Sequence, residues 1–295
     1  MVRTSRRNFL RTSLAAGALA STGTLPIAAA APQGNKATDL VTLGKSNIRA
    51  TRLAFGTGTN NGAVQRRLGQ DGFNALVRHA YDRGIRFFET CDTYTDMHRM
   101  LGVALRGIPR DSYVLLSKIT TDSGDPHQRF DDLRRQANTD YFDIMLLHVQ
   151  QGDDWPQRSR RWQDAISEAQ QKKIILARGA SVHGLPALRQ VPQNTWLQVA
   201  MIRMNHTGQR MDNEATSWNQ LGDVPEVVQH VHAAKAAGMG VLSMKLIGEG
   251  VFNQQDRQKA MRFAFRNAGV DCVTVGYKAP NEIDEAIDNI NAALA

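Results

Sequence analysis

The feature that most constrains this chain is a repeated alternation of two kinds of segment. Short runs rich in β-branched and aromatic residues appear as Leu53 to Phe55, "IRFFETC", "YVLLSKI", "YFDIMLLHV", "IILARGASV", "WLQVAMIRM", "GVLSMKLIG" and "VDCVTVGYK". Between them lie segments with helical spacing of apolar residues, such as "QDGFNALVRHAYDRG", "RWQDAISEAQQKK" and "APNEIDEAIDNINAAL". Strict alternation of strand and helix implies a parallel sheet. A count of eight implies a sheet closed into a (β/α)8 TIM barrel, preceded here by a short N-terminal β-hairpin in "VTLGKSNIRATRLAFGTGT". The rival is an open doubly wound sheet. It is weakened because no G-x-G-x-x-G follows the first strand.

The first thirty residues read differently. "SRRNFL" sets a twin arginine before an apolar pair, and an uncharged Ala- and Gly-rich stretch ends in Ala28, Ala29 and Ala30. This pattern predicts a twin-arginine export signal over residues 1–30, a linker over 31–38 and the barrel over 39–295. The expected partner is the twin-arginine export machinery and the expected location is periplasmic or otherwise exported, with no membrane span left after processing.

The formal net charge of +8 includes Arg3, Arg6, Arg7 and Arg11 of that segment. Without them the chain is only mildly basic. No aromatic-interleaved basic patch stands out, so nucleic acid is not an expected partner. Cys91 and Cys272 are too few for a disulfide framework and read as buried thiols.

In such a barrel chemistry sits where strands give way to the following loops. The polar residues there are Glu89 and Tyr94 after the second barrel strand, Lys118 after the third and His148 after the fourth. Ser181 and His183 end the fifth, and Gln198 and Asn205 fall in or just after the sixth. Glu89 can hold Lys118 charged, and an ammonium stabilises the phenolate of a neighbouring tyrosine. With His148 as a hydrogen-bonding group, the set describes an acid/base centre able to protonate a carbonyl oxygen as hydride arrives. His183 reads as structural. His230 and His232, two apart on a helix, face away from one another. No metal-ligand set is apparent, and Trp218 is the tryptophan placed to line a substrate.

The sequence resembles the aldo-keto reductases over most of the chain, in "LAFGTGT", "GIRFFETCDTY", "LLSK", "DIMLLHV", "GAS" and "VTVGYKAP". The resemblance implies an oxidoreductase that passes hydride between NADP(H) and a small carbonyl or alcohol substrate. It places the catalytic tyrosine, lysine, histidine and carboxylate on Tyr94, Lys118, His148 and Glu89. It places cofactor contacts on Gly56, Thr57, Ser181, Gln198, Gly276 and Lys278. The chain departs from the family pattern at Glu89, usually aspartate, and at His98, Val182, Met244, Ala279 and Ala286. These departures leave a second reading, a barrel with weakened catalysis that serves as a ligand- or nucleotide-binding module.

Overall fold

The computed structural model describes residues 35–211, 213–215 and 220–295. The predicted export signal, the first half of the predicted linker and Trp218 lie outside the described residues.

Two antiparallel strands, β1 (Leu40–Thr42) and β2 (Arg49–Thr51), form the N-terminal hairpin. Eight parallel strands follow: β3 (Leu53–Gly56), β4 (Phe87–Glu89), β5 (Val114–Ile119), β6 (Phe142–Gln150), β7 (Ile175–Val182), β8 (Val199–Arg203), β9 (Gly240–Met244) and β10 (Cys272–Gly276). They pair in sequence order, and β10 pairs with both β9 and β3, so the barrel is closed. The expected (β/α)8 barrel with its hairpin is the observed fold. The packed chain begins slightly ahead of the predicted boundary. Ala37 is buried, its N–H donates to Asn291 Oδ1 at 2.8 Å, and its carbonyl accepts from Leu53 N at 3.0 Å.

The period of two along each strand sorts the side chains into two layers. Phe87, Leu116, Ile144, Leu146, Ala177, Val199, Met201 and Leu242 fill the barrel interior. Phe88, Leu115, Met145, Leu147, Ala180 and Ile202 face the surrounding helices. Val41, Leu43 and Ala50 of the hairpin join the inner cluster, and Lys45 N donates to Gly238 O at 2.7 Å. The hairpin therefore plugs the end of the barrel at which the strands begin. Emptying an enclosed ring such as Phe87 by truncation to alanine costs about 3–5 kcal/mol, because the close-packed interior cannot fully collapse into the space.

The same alternation delivers the polar groups. On β5, Val114 and Leu116 point inward, so Lys118 does too, one rung above the apolar layers. On β4, Phe87 points inward and Glu89 follows it. Among the described residues no helix is long and apolar enough to cross a membrane.

Candidate active site

At the end of the barrel away from the hairpin, three side chains form a hydrogen-bonded chain. Lys118 Nζ lies 2.5 Å from Glu89 Oε1 and 2.8 Å from the Tyr94 hydroxyl. All three residues are buried. Glu89 is paired in register with Leu116, so Lys118 stands two residues, roughly 6.6 Å, further along its strand.

Burial works to discharge Lys118, but the Glu89 carboxylate and the Tyr94 oxygen outweigh it and hold the ammonium well above its ordinary pKa. Tyr94 departs from expectation. Burial pushes its hydroxyl up, and Glu89 adds to this against the lowering effect of Lys118. The expected stabilisation of a phenolate by the lysine is thus overcome, because Lys118 is already neutralised by Glu89 and the ring has left water. Tyr94 holds its proton, accepts from Lys118, and keeps its own O–H as a donor.

His148 closes the rim. Its ring meets that of Tyr94 edge to face, with centroids 6.0 Å apart. Burial, then the charges of Lys118, Lys245 and Arg203, push its pKa down to about 2, so the imidazole is neutral. Its Nδ1 lies 3.0 Å from Cys91 Sγ. Burial raises the Cys91 thiol, which stays protonated. This contact was not legible in the sequence, where Cys91 looked only like core. Asp92 completes a trio with Cys91 and His148 whose donor atoms lie within 4.8 Å of one another. Its oxygens are also engaged, by Thr120 N at 2.8 Å and Arg129 at 3.3 Å.

A cleft of about 440 Å³ opens beside Tyr94, Lys118 and Glu89 and runs to the first turn of the helix Pro280–Leu294. Three of the expected cofactor contacts, Gly56, Gly276 and Lys278, line it. Gly58 also lines it and is required there: a Cβ would stand 2.6 Å from the Tyr94 hydroxyl. At Gly276 a Cβ would stand 2.4 Å from Thr59 Oγ1.

The remaining predicted contacts fall elsewhere. Thr57 is buried behind the cleft, its hydroxyl donating to Glu89 O at 3.0 Å. Ser181 is buried within the barrel, its hydroxyl 4.0 Å from Met244 Sδ. Gln198 does not reach the site. It precedes β8, at the end of the barrel where strands begin, and its Oε1 accepts from Arg178 N and Gln170 Nε2, each at 3.0 Å. The side chain that β8 sends to the cleft is Met201, level with Ser181. Counting inward positions along Val199, Met201 and Arg203 would have separated the two. Asn205 is buried and pins its own loop, donating to Gln209 O at 2.6 Å and accepting from Thr207 N at 3.0 Å. His183 is held by Arg203 Nη2 at 2.5 Å from its Nδ1, and burial keeps it well below its usual pKa. His230 and His232 make separate contacts, with Glu226 at 3.5 Å and Asn267 O at 3.1 Å.

The cleft meets the requirements of an extended nucleotide. Its walls come partly from glycine backbone, and the buried hydroxyls of Thr274 and Tyr277 line it with no hydrogen-bond partner among the described residues. Its volume is within the range of small-molecule and cofactor sites.

A closed parallel barrel carrying a buried carboxylate, lysine and tyrosine at its rim defines a (β/α)8 barrel with a polar site where its strands end. The model of the Aldo/keto reductase family matches residues 52–261, and the chain belongs to that family of oxidoreductases. Among curated proteins, the chain is similar to "Probable aldo-keto reductase 1" of Glycine max, 30% identical over 107 residues, which span 34% of this chain and 29% of that relative. Among solved structures, it is similar to an aldo-keto reductase of Klebsiella pneumoniae in complex with NADPH, with TM-score 0.62 and 18% identity over 85% of this chain and 89% of that one. It is also similar to the holo form of the aldo-keto reductase AKR11C1 of Bacillus halodurans, with TM-score 0.67 and 18% identity over 85% and 90% of the two chains.

Proposed function

We propose that this protein transfers hydride between a nicotinamide adenine dinucleotide and a small carbonyl or alcohol substrate, with Tyr94 as the general acid/base. The observation that carries this reading is the chain Glu89, Lys118, Tyr94 opening on a cleft large enough for the cofactor. NADP(H) is the form the family resemblance implies, and the Klebsiella pneumoniae relative holds NADPH.

The cofactor, when bound, supplies or accepts the hydride. Gly56, Gly58 and Gly276 admit it by leaving the wall without side chains. Tyr94 gives its hydroxyl proton to the substrate oxygen in reduction and takes it back in oxidation. Lys118, fixed by Glu89, offsets part of the cost that burial and the Glu89 charge place on the phenolate left behind, and a neutral His148 orients the carbonyl oxygen. Met201 and Met244 line the cleft floor and keep water from the reacting carbon.

The second reading, a binding module without turnover, rests on the glutamate at position 89 and on the departures at the adenine end, Ala279 and Ala286. The ion pair is made at 2.5 Å with that glutamate, which removes the first of these grounds. A panel of aldehydes and ketones, assayed by loss of reduced nicotinamide absorbance, tests the function. Turnover abolished by Tyr94→Phe supports it, and no turnover with any carbonyl in protein that binds the cofactor favours the module.

Residues 1–30 support a second part of the proposal, export by the twin-arginine route, which moves proteins already folded. Arg6→Lys together with Arg7→Lys should leave the precursor in the cytoplasm. Processed protein outside the membrane in that variant would contradict the route.

A further inference from the structure

The cleft is lined by three cations, Lys245, Arg257 and Lys278, and by three carboxylates, Glu249, Glu282 and Glu285, of which Glu282 and Glu285 lie on the helix Pro280–Leu294 at its far end and pair with Lys278 and Arg257. Lys245 and Arg257 are hydrogen-bonded to carboxylates, and Lys278 is held only loosely by one. Lys245 Nζ bonds Glu249 Oε1. Arg257 grips Glu285 with both prongs, Nε to Oε1 at 2.7 Å and Nη2 to Oε2 at 2.8 Å, while its Nη1 donates to Phe252 O at 2.8 Å. Lys278 Nζ stands 3.9 Å from Glu282 Oε1, and its backbone N–H donates to Glu282 Oε2 at 2.8 Å. Arg257 holds the Glu285 carboxyl below its ordinary pKa, so that acid is charged at neutral pH.

These pairings matter because of what must lie there. The reaction at Tyr94 fixes the nicotinamide end, so the adenosine half of a dinucleotide falls in the remote half of the cleft. A 2′-phosphate brings about two negative charges and requires cations with free donors, above all an open guanidinium fork. Here the fork of Arg257 is filled by Glu285. Glu282 occupies the first turn of the helix Pro280–Leu294, where the helix N–H groups and dipole would otherwise favour an anion. A ribose 2′-hydroxyl has the opposite requirement, since it donates to a carboxylate.

We propose that Glu282, supported by Glu285, is a specificity-determining residue that makes this cleft select NAD(H) over NADP(H). The inference rests on the reading of the cleft as a dinucleotide site. It reverses the cofactor form implied by family resemblance, on the charge arrangement of this chain alone.

Isothermal titration of the purified full chain with NADH and with NADPH, at one fixed salt concentration, tests it without recourse to turnover. NADH is expected to bind tighter by about tenfold or more, and the gap should narrow as salt screens the carboxylates. Glu282→Arg should tighten NADPH by about tenfold while moving NADH by less than about threefold, and Glu282→Gln should fall between. Tighter binding of NADPH than NADH by the unaltered protein overturns the inference. Binding of neither nucleotide overturns the dinucleotide reading as well, and so separates the two failures.

Discussion

Lys118 Nζ and Glu89 Oε1 meet at 2.5 Å in a setting where neither side chain is more than 3% exposed. Removing one member of such a pair leaves a charge that neither water nor protein satisfies. Glu89→Gln is therefore expected to cost roughly 3–5 kcal/mol of unfolding free energy. The double variant Glu89→Gln, Lys118→Met should lose less than Glu89→Gln alone, because no ammonium is stranded. Urea denaturation of the three proteins measures this, and equal stability of Glu89→Gln and the parent would show that the pair is not buried as described.

Gly58 faces the Tyr94 hydroxyl so closely that a Cβ would lie 2.6 Å from it. Gly58→Ala must displace the tyrosine, at an overpacking cost of about 1–3 kcal/mol. Circular dichroism should show the fold retained while carbonyl reduction falls by more than about tenfold, since a positioned acid has been moved. Undiminished turnover would place the proton donor elsewhere.

Cys91 and His148 share a contact of 3.0 Å between Sγ and Nδ1. A protonated thiol and a neutral imidazole there fix the ring's tautomer and orientation. Cys91→Ala should shift the nitrogen resonances of His148 and lower kcat more than it raises KM, with Cys91→Ser recovering part of the loss. Alkylating reagents should label Cys91 only slowly in the folded protein, because burial keeps the reactive thiolate scarce. Identical His148 spectra in the alanine variant would sever this link.

His98 gives a pH dependence with a definite sign. It is buried, 2.8 Å from Ser117 Oγ, and burial lowers its pKa from 6.5 to about 4. As pH falls below 6.5 the unfolded chain takes up this proton first and the folded chain does not until about 4. Stability from this residue is thus complete above the unfolded pKa and falls by about 1.4 kcal/mol per pH unit in between, to roughly 3 kcal/mol in all. His183 acts in the same direction. Unfolding curves across this range should be flatter for His98→Gln than for the parent, and equal slopes would contradict the assignment.

The barrel was legible because eight strand-like runs and their helices follow the two periods that pleat and helix impose. Glu89, Lys118 and His148 stand out because each lies at or near the end of one of those runs, and Tyr94 because it follows Glu89 in the next loop. The resemblance places Gln198 in the cofactor site, but Gln198 stands at the start of "WLQVAMIRM", and inward alternation selects Met201 instead. The Cys91 contact with His148 and the pairing of Arg257 with Glu285 join residues 57 and 28 apart in the chain. No local pattern encodes such contacts; they follow from barrel closure.

In the proposed reaction Tyr94 delivers a proton as hydride passes from a nicotinamide to a carbonyl. The most direct test supplies the cofactor deuterated at the transferring carbon, with a panel of aldehydes and ketones, and looks for deuterium on the carbinol carbon of the product. Label is expected in the product formed by the parent protein, and Tyr94→Phe, with its fold expected to be retained, should lower the rate by about 10²-fold or more. Absence of label with every carbonyl, or an equal rate from the phenylalanine variant, would contradict it.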